Sequence, residues 1–387
     1  MIAPTPSDSD LPAPSAAARA VSDALATEIG AAIDAAGGWL DFSRYMELAL
    51  YAPGIGYYSA GSAKLGAGGD FVTAPELSGA LGTALALTLD AELAALGASA
   101  VLELGAGSGA LAAQLLDTFA KLGREVRYSI LEPSADLRQR QATTLRRYGT
   151  RIEWLDTLPT KPFAGVVVGN EVLDALPVAC FEVIDGEPRM RGVVRSRDGF
   201  QWGESRVSSD VSAAVTALER KLGRALPEGY RSEVRLVLPA WLAAVGACLA
   251  RGSLLFVDYG LVRADYYHEQ RCMGTLACHY RQRVSDNPFL HPGLQDISAW
   301  VDFSACADAA EAAGLEVAAF TTQGQYLLNV LAALPPDLAP MLASPREQSA
   351  LKTLVLPGEM GERFKVLLLR KGVTGPELPG KDFRPRL

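Results

Sequence analysis

Val101-Leu102-Glu103-Leu104-Gly105-Ala106-Gly107-Ser108-Gly109 carries a short apolar run straight into three alternating glycines and then into a helical pattern. A Cβ in such a turn would hold a ligand away from the backbone amides that open the following helix, so glycine is the residue the turn calls for. Strand, glycine turn and helix in this order begin a nucleotide-binding α/β sheet. By itself the pattern is loose, because Gly105, Gly107 and Ala110 also satisfy the G-x-G-x-x-A dinucleotide fingerprint.

Two acids narrow the choice. Glu103 sets a carboxylate at the carboxyl end of the first strand, where it suits an ammonium group and would repel a pyrophosphate. Glu132 ends the run Tyr128-Ser129-Ile130-Leu131-Glu132, where a carboxylate accepts hydrogen bonds from ribose hydroxyls in a nucleoside or an NAD site alike. Glu132 therefore points to an adenosine cofactor, and Glu103 selects one with a methionine-like amine. The expected cofactor is S-adenosylmethionine, held by Glu103, Gly105, Gly107, Gly109 and Glu132.

Outward from this loop the chain alternates short apolar runs with helical stretches, the mark of a parallel α/β sheet. Strands are expected at 100–104, 127–131, 151–155, 164–169, 253–258, 315–321 and 364–369, and helices at 111–122, 135–148, 209–222, 240–250 and 303–313. Seven strands in this order match a Rossmann-like class I methyltransferase sheet, whose last strand lies antiparallel between the fifth and sixth. Upstream, helices are expected at 18–36, 42–50 and 75–96, separated by a glycine-rich loop. The expected organisation is a disordered tail (1–22), a helical N-terminal extension with a cofactor-covering loop (23–98), and a core (99–371). That core carries substrate-side insertions at 178–239 and 259–301, and a C-terminal tail follows (372–387). Long insertions at strand ends are where open α/β sheets place recognition.

The fourth strand runs into Asn170-Glu171-Val172-Leu173-Asp174, and the fifth ends on Asp258-Tyr259-Gly260. Glu171, Asp174 and Asp258 are thus expected to converge beside the transferable methyl as catalytic carboxylates, with Asn170 among the cofactor contacts. Paired carboxylates suit a guanidinium, which donates bidentate hydrogen bonds. Helix capping is the structural alternative for Asn170 and Asp174.

A net charge of −8 argues against nucleic acid as a partner. No stretch is apolar enough to insert in a membrane, since Asp90, Glu92 and Glu103 break the richest one. Five scattered cysteines fit no disulfide framework and no paired zinc-ligand spacing, so no metal is expected. The first residues lack a signal or transit composition, which gives a cytoplasmic expectation.

The strings Gly56-Tyr57-Tyr58, Gly69-Asp70-Phe71-Val72-Thr73-Ala74-Pro75, the Glu103–Gly109 loop, Glu132-Pro133-Ser134 and Asn170-Glu171-Val172-Leu173-Asp174 occur together here. So do Asp258-Tyr259-Gly260, Gly274-Thr275-Leu276, Asp296-Ile297 and Pro357-Gly358-Glu359. From about Phe42 to Lys371 the chain resembles the MidA-type methyltransferases, whose eukaryotic members are mitochondrial complex I assembly factors with protein arginine methyltransferase activity. The resemblance implies that a segment with Gly69, Asp70, Phe71 and Thr73 folds over the cofactor. It also implies a protein substrate with an exposed arginine, a respiratory complex I subunit among the candidates. A small-molecule methyltransferase and a cofactor-binding assembly factor without turnover remain alternatives. Oligomeric state is left open, a homodimer included.

Overall fold

The apolar runs around the glycine loop pair into one sheet. The protein's structure, a computed structural model, describes residues 11–59 and 73–387. In chain order the main strands are β1 (Ala100–Leu104), β2 (Arg127–Leu131), β3 (Ile152–Leu155), β4 (Phe163–Asn170), β5 (Leu249–Leu261), β6 (Glu316–Thr322) and β7 (Phe364–Lys371). Their spatial order is β6-β7-β5-β4-β1-β2-β3, and the two-residue strand Val301–Asp302 adds to the far end of β5. β1 to β5 pair in parallel, whereas β7 runs antiparallel between β5 and β6. This is the Rossmann-like methyltransferase topology expected from the sequence.

The run that looked richest for a membrane is the buried helix Ala80–Leu96 followed by β1. That helix is apolar nearly all round, and Leu81, Leu85, Leu89 and Leu93 are fully buried. A helix without a polar stripe must be covered on all sides, and here it joins the core with Leu115, Phe119, Val166, Leu255 and Val366. Among the described residues no helix is long and apolar enough to cross a membrane. The single helix expected over 75–96 is two: Ala74–Leu77 stops at Ser78, whose backbone is extended. The hydroxyl of Ser78 and the amide of Gly79 both donate to Glu347 at this break.

The chain divides into two compact units. One, made of Val72–Leu173, Pro239–Val262 and Val301–Leu387, holds the whole sheet. The other joins Met1–Phe71 to Asp174–Leu238 and Arg263–Trp300, so both insertions and the first two N-terminal helices build a single body, whereas the end of the extension expected over 23–98 belongs with the sheet. Its core gathers Leu25, Ile29, Phe42, Tyr45 and Met46 from the N-terminal segment, Val178, Cys180 and Val193 from the first insertion, and Cys278 and Ile297 from the second. Trp202 and Phe289, one from each insertion, stack edge to face at 5.1 Å. Three small three-stranded sheets complete it.

The Gly274-Thr275-Leu276 string is anchored inside this unit by Glu233, which is 4% exposed. The Glu233 carboxylate accepts from the backbone amides of Thr275 and Leu276 and from the Tyr266 hydroxyl. Tyr58 likewise donates to Asp296 at 2.9 Å, joining two strings that lie far apart in sequence.

Both ends depart from expectation. The helix expected over 18–36 runs Ala16–Ala35 and so takes in the end of the tail expected over 1–22, because Ser15 caps the Ala18 amide and Leu25, Ile29 and Ile33 bury one face. The tail expected over 372–387 is tied down by Phe383 N–H on the Phe320 carbonyl at 2.7 Å and by Arg384 on the Val317 carbonyl.

Candidate active site

Because β5, β4, β1 and β2 are parallel, their carboxyl ends lie along one edge of the sheet. Glu103 stands opposite Val168 of β4 on one side and Ile130 of β2 on the other, and Asn170 stands opposite Val257 of β5. The edge therefore reads Asp258, Glu171, Glu103, Glu132, one acid per strand, with neighbouring strands about 4.8 Å apart.

The glycine loop follows Glu103 out of β1 and is tied to the end of β2. Gly105, Gly107 and Gly109 have φ of 62°, 53° and 82°, left-handed values that other residues seldom adopt. Gly105 N–H donates to the Leu131 carbonyl, fixing the loop to β2. Gly109 caps the helix Ala110–Lys121, whose first amides therefore open toward the loop.

Glu103 is 1% exposed. Tyr128, fully buried on β2, donates its hydroxyl to Glu103 Oε2 at 2.7 Å. Burial lifts the Glu103 carboxyl to about 7; the Tyr128 hydrogen bond opposes the rise and the nearby Glu132 adds to it. Among the described residues no cation pairs with Glu103. Glu132, 4% exposed, is also raised by burial, against hydrogen bonds from the Ser134 amide and Gln141 and the charge of Arg138. Those two hydrogen bonds measure 3.0 Å each, one to each carboxylate oxygen.

On the other flank, Glu171 leaves β4 with a φ of 53°, a left-handed non-glycine residue. Its amide donates to the Val257 carbonyl at 2.9 Å, and Asn170 Nδ2 donates to its Oε1 at 3.1 Å. Asn170 Oδ1 is buried with no hydrogen-bond partner among the described residues. Asp258, 1% exposed, was expected to face the acceptor, yet both its oxygens take backbone amides. Oδ2 accepts from Val172 at 3.1 Å and Leu173 at 2.8 Å, and Oδ1 from Tyr259 at 2.9 Å. The turn after Glu171 is thus clamped from the next strand.

Asp174 opens the other unit, where its side chain is buried and its carbonyl accepts from Arg235 at 3.2 Å. Thr73 caps the short helix Ala74–Leu77, its amide held by Glu76. Gly69, Asp70 and Phe71, expected to cover the cofactor, lie outside the described residues. Among the described residues no group of histidines, cysteines and acids could hold a metal.

A family model described as "Putative S-adenosyl-L-methionine-dependent methyltransferase" matches residues 84–321, more than half of the chain. The chain belongs to that family. The methyltransferase is 42% identical to a superfamily member from Burkholderia thailandensis solved bound to S-adenosyl-homocysteine. That match has a TM-score of 0.86 and covers 95% of this chain and 97% of that one. It is also 28% identical to "Protein arginine methyltransferase NDUFAF7 homolog, mitochondrial" of Drosophila melanogaster, over 94% of this chain and 89% of the relative. The NDUFAF7 protein arginine methyltransferase of Danio rerio is 27% identical, over 85% of this chain and 82% of that protein.

These relatives overturn the cytoplasmic expectation, since their names place them in mitochondria. Compartment is read by receptors from an address, and core composition or scattered cysteines leave no record of it.

The methyltransferase's residues fit its cofactor. A fully buried carboxylate whose described partner is one hydroxyl, lifted to about 7, is the group an ammonium would stabilise. Three side chains at this edge were not anticipated from the sequence: Tyr128, Gln141 and Trp154. Tyr128 and Trp154 read as ordinary strand aromatics, and Gln141 as one polar residue in a polar helix. Only pairing across strands shows what they touch.

Proposed function

We propose that this methyltransferase modifies an arginine side chain of a protein, and that Glu171 receives the guanidinium. The observation that carries this reading is Glu171 itself, held left-handed at the sheet edge on the strand next to Glu103. A non-glycine residue in that conformation costs on the order of 1 kcal/mol or more and persists where its surroundings over-determine it. Here Val257 and Asp258 do so.

In this reading Glu103 takes the cofactor's amine, Glu132 its ribose hydroxyls, and Gly105, Gly107 and Gly109 allow close approach of the backbone. Asn170 offers its Oδ1 on the same side. The cofactor supplies a methyl group on a positively charged sulfur. Glu171 accepts hydrogen bonds from the guanidinium and aligns one nitrogen with the sulfur–carbon bond. The nitrogen–carbon bond forms as the sulfur–carbon bond breaks, and the proton displaced from nitrogen passes to the Glu171 carboxylate. Asp258 acts as a positioning residue, and Asp174, three residues beyond Glu171, is assigned to the acceptor side.

Support for a protein acceptor comes from the relatives named protein arginine methyltransferases. The resemblance to complex I assembly methyltransferases makes a respiratory complex subunit the first acceptor to try. The test incubates the protein and methyl-labelled cofactor with lysate from a strain lacking the gene. Label in a protein band that mass spectrometry maps to methylarginine is the expected result. Label confined to small solutes replaces this reading with a small-molecule methyltransferase. No label, with S-adenosylhomocysteine still bound, leaves an assembly factor without turnover.

A further inference from the structure

The helix Ala135–Thr144 is polar along its length and buries a single residue, Gln141, which is 0% exposed. A long amide is an unexpected choice for that position, because a buried amide must place every donor and acceptor it carries. Gln141 places them at the cofactor edge. Its Nε2 donates to Glu132 Oε2 at 3.0 Å and to the Gly107 carbonyl at 3.1 Å. Its Oε1 accepts from the indole Nε1 of Trp154 on β3 at 2.9 Å. An indole nitrogen can only donate, so Trp154 decides which end of the amide is oxygen and leaves both N–H groups for the acid and the loop. Thr144, one turn on, donates to the Ser108 carbonyl at 2.9 Å and ties the same helix to the same loop.

We infer that Gln141 is a positioning residue for cofactor binding, one that locks the Glu132 carboxylate and the glycine loop into a single arrangement, with Trp154 fixing its orientation. The inference rests on the reading of Glu132 as the ribose acid. With Oε1 held by the Ser134 amide and Oε2 by Gln141, the carboxylate keeps one fixed plane, and each oxygen retains a lone pair with which to accept a ribose hydroxyl. Without Gln141 the carboxylate would keep only the Ser134 amide to fix its plane, and the Gly107 carbonyl would lose its buried donor.

The arrangement also predicts how the loss would look. Hydrogen bonding from Gln141 and the charge of Arg138 both lower the Glu132 acid against burial, while Glu103 stands one strand away. Removing Gln141 therefore raises Glu132 further.

The experiment titrates S-adenosylhomocysteine and its 2′-deoxyribose counterpart by calorimetry into wild type, Gln141→Met, Glu132→Gln and the double variant. Expected for Gln141→Met is roughly a tenfold weaker Kd for S-adenosylhomocysteine and a smaller loss for the deoxy probe. The double variant should lose less than the two single losses summed, since the residues share one contact. Wild-type affinity in Glu132→Gln would sink the ribose reading itself. A weakened Glu132→Gln beside an unaffected Gln141→Met sinks only the present inference. So do equal losses for both probes with additive effects, which mark a generally loosened fold. If Gln141→Met does not fold, Trp154→Phe keeps the amide and removes the donor that orients it. A several-fold loss for S-adenosylhomocysteine is then expected, and unchanged binding overturns the proposal.

Discussion

Affinity for S-adenosylhomocysteine should rise steeply with pH below neutrality, and Glu103 should be the cause. Its carboxyl is buried against Tyr128, and burial lifts it from 4.5 to about 7. For the ligand-free protein this is a folding cost: the stability linked to the neutral acid is present below pH 4.5 and lost as pH rises through about 7. That shift corresponds to roughly 3 kcal/mol across the whole window. A ligand ammonium relieves the cost by pairing with the ionised form, so binding selects ionised Glu103 and releases a proton when the acid starts protonated. With a free-state value of about 7, the ionised fraction climbs on the order of 20-fold between pH 5.5 and 7.5, and the affinity should follow it. Calorimetric titration in buffers of different ionisation heat reads both the affinity and the proton released. In Glu103→Gln the affinity should be weaker and almost flat over that range. The reasoning is refuted by a flat wild-type profile, or by a Glu103→Gln profile with the wild-type slope.

Three further outcomes are expected. Glu171→Gln keeps the side-chain size but removes the charge that holds a guanidinium, so transfer to the identified acceptor should fall about ten- to hundred-fold while S-adenosylhomocysteine affinity stays within about twofold. Steady-state rates alongside calorimetry check it, and a loss confined to cofactor affinity contradicts it. Asp258→Asn puts a donor where three backbone amides now find acceptors, and should lower stability by about 1–3 kcal/mol and reduce transfer more than cofactor binding. Denaturant melts and the same kinetic split measure this, and a wild-type rate in a folded Asp258→Asn would remove it from the site. Arg370→Met strands Glu92, which is 1% exposed beside its 9% exposed partner, and should cost about 3–5 kcal/mol in urea unfolding. Adding Glu92→Leu should restore much of that loss, and no recovery would mean the pair does more than satisfy itself.

The core sheet was readable because its signals are local. Apolar runs of strand length, helical stretches between them and a glycine turn after β1 each follow from a few adjacent residues, and the seven strands appear close to the expected bounds. Errors sit where distant partners decide. The helix expected over 75–96 breaks at Ser78 because Glu347, remote in sequence, binds that turn. The helix expected over 18–36 starts at Ala16, inside the stretch whose composition reads as tail, because Ser15 caps it and a face of Leu25, Ile29 and Ile33 finds a core.

In the candidate site, residue types and strand ends are legible along the chain: Glu103, the three glycines, Glu132, Glu171 and Asp258. What those acids do with their oxygens depends on the folded sheet. Asp258 spends its carboxylate on the amides of Val172, Leu173 and Tyr259, Glu103 has a buried hydroxyl against it, and Glu132 is gripped by Gln141. The same holds for the first two N-terminal helices and the two insertions, which read as separate additions and fold as one unit, while the helix Ala80–Leu96 at the end of the expected extension belongs with the sheet. The physical reason is common to all of these. A strand end is set by backbone propensity and neighbouring residues, whereas a carboxylate's role is set by whichever donors and charges the folded sheet brings within about 3 Å of it.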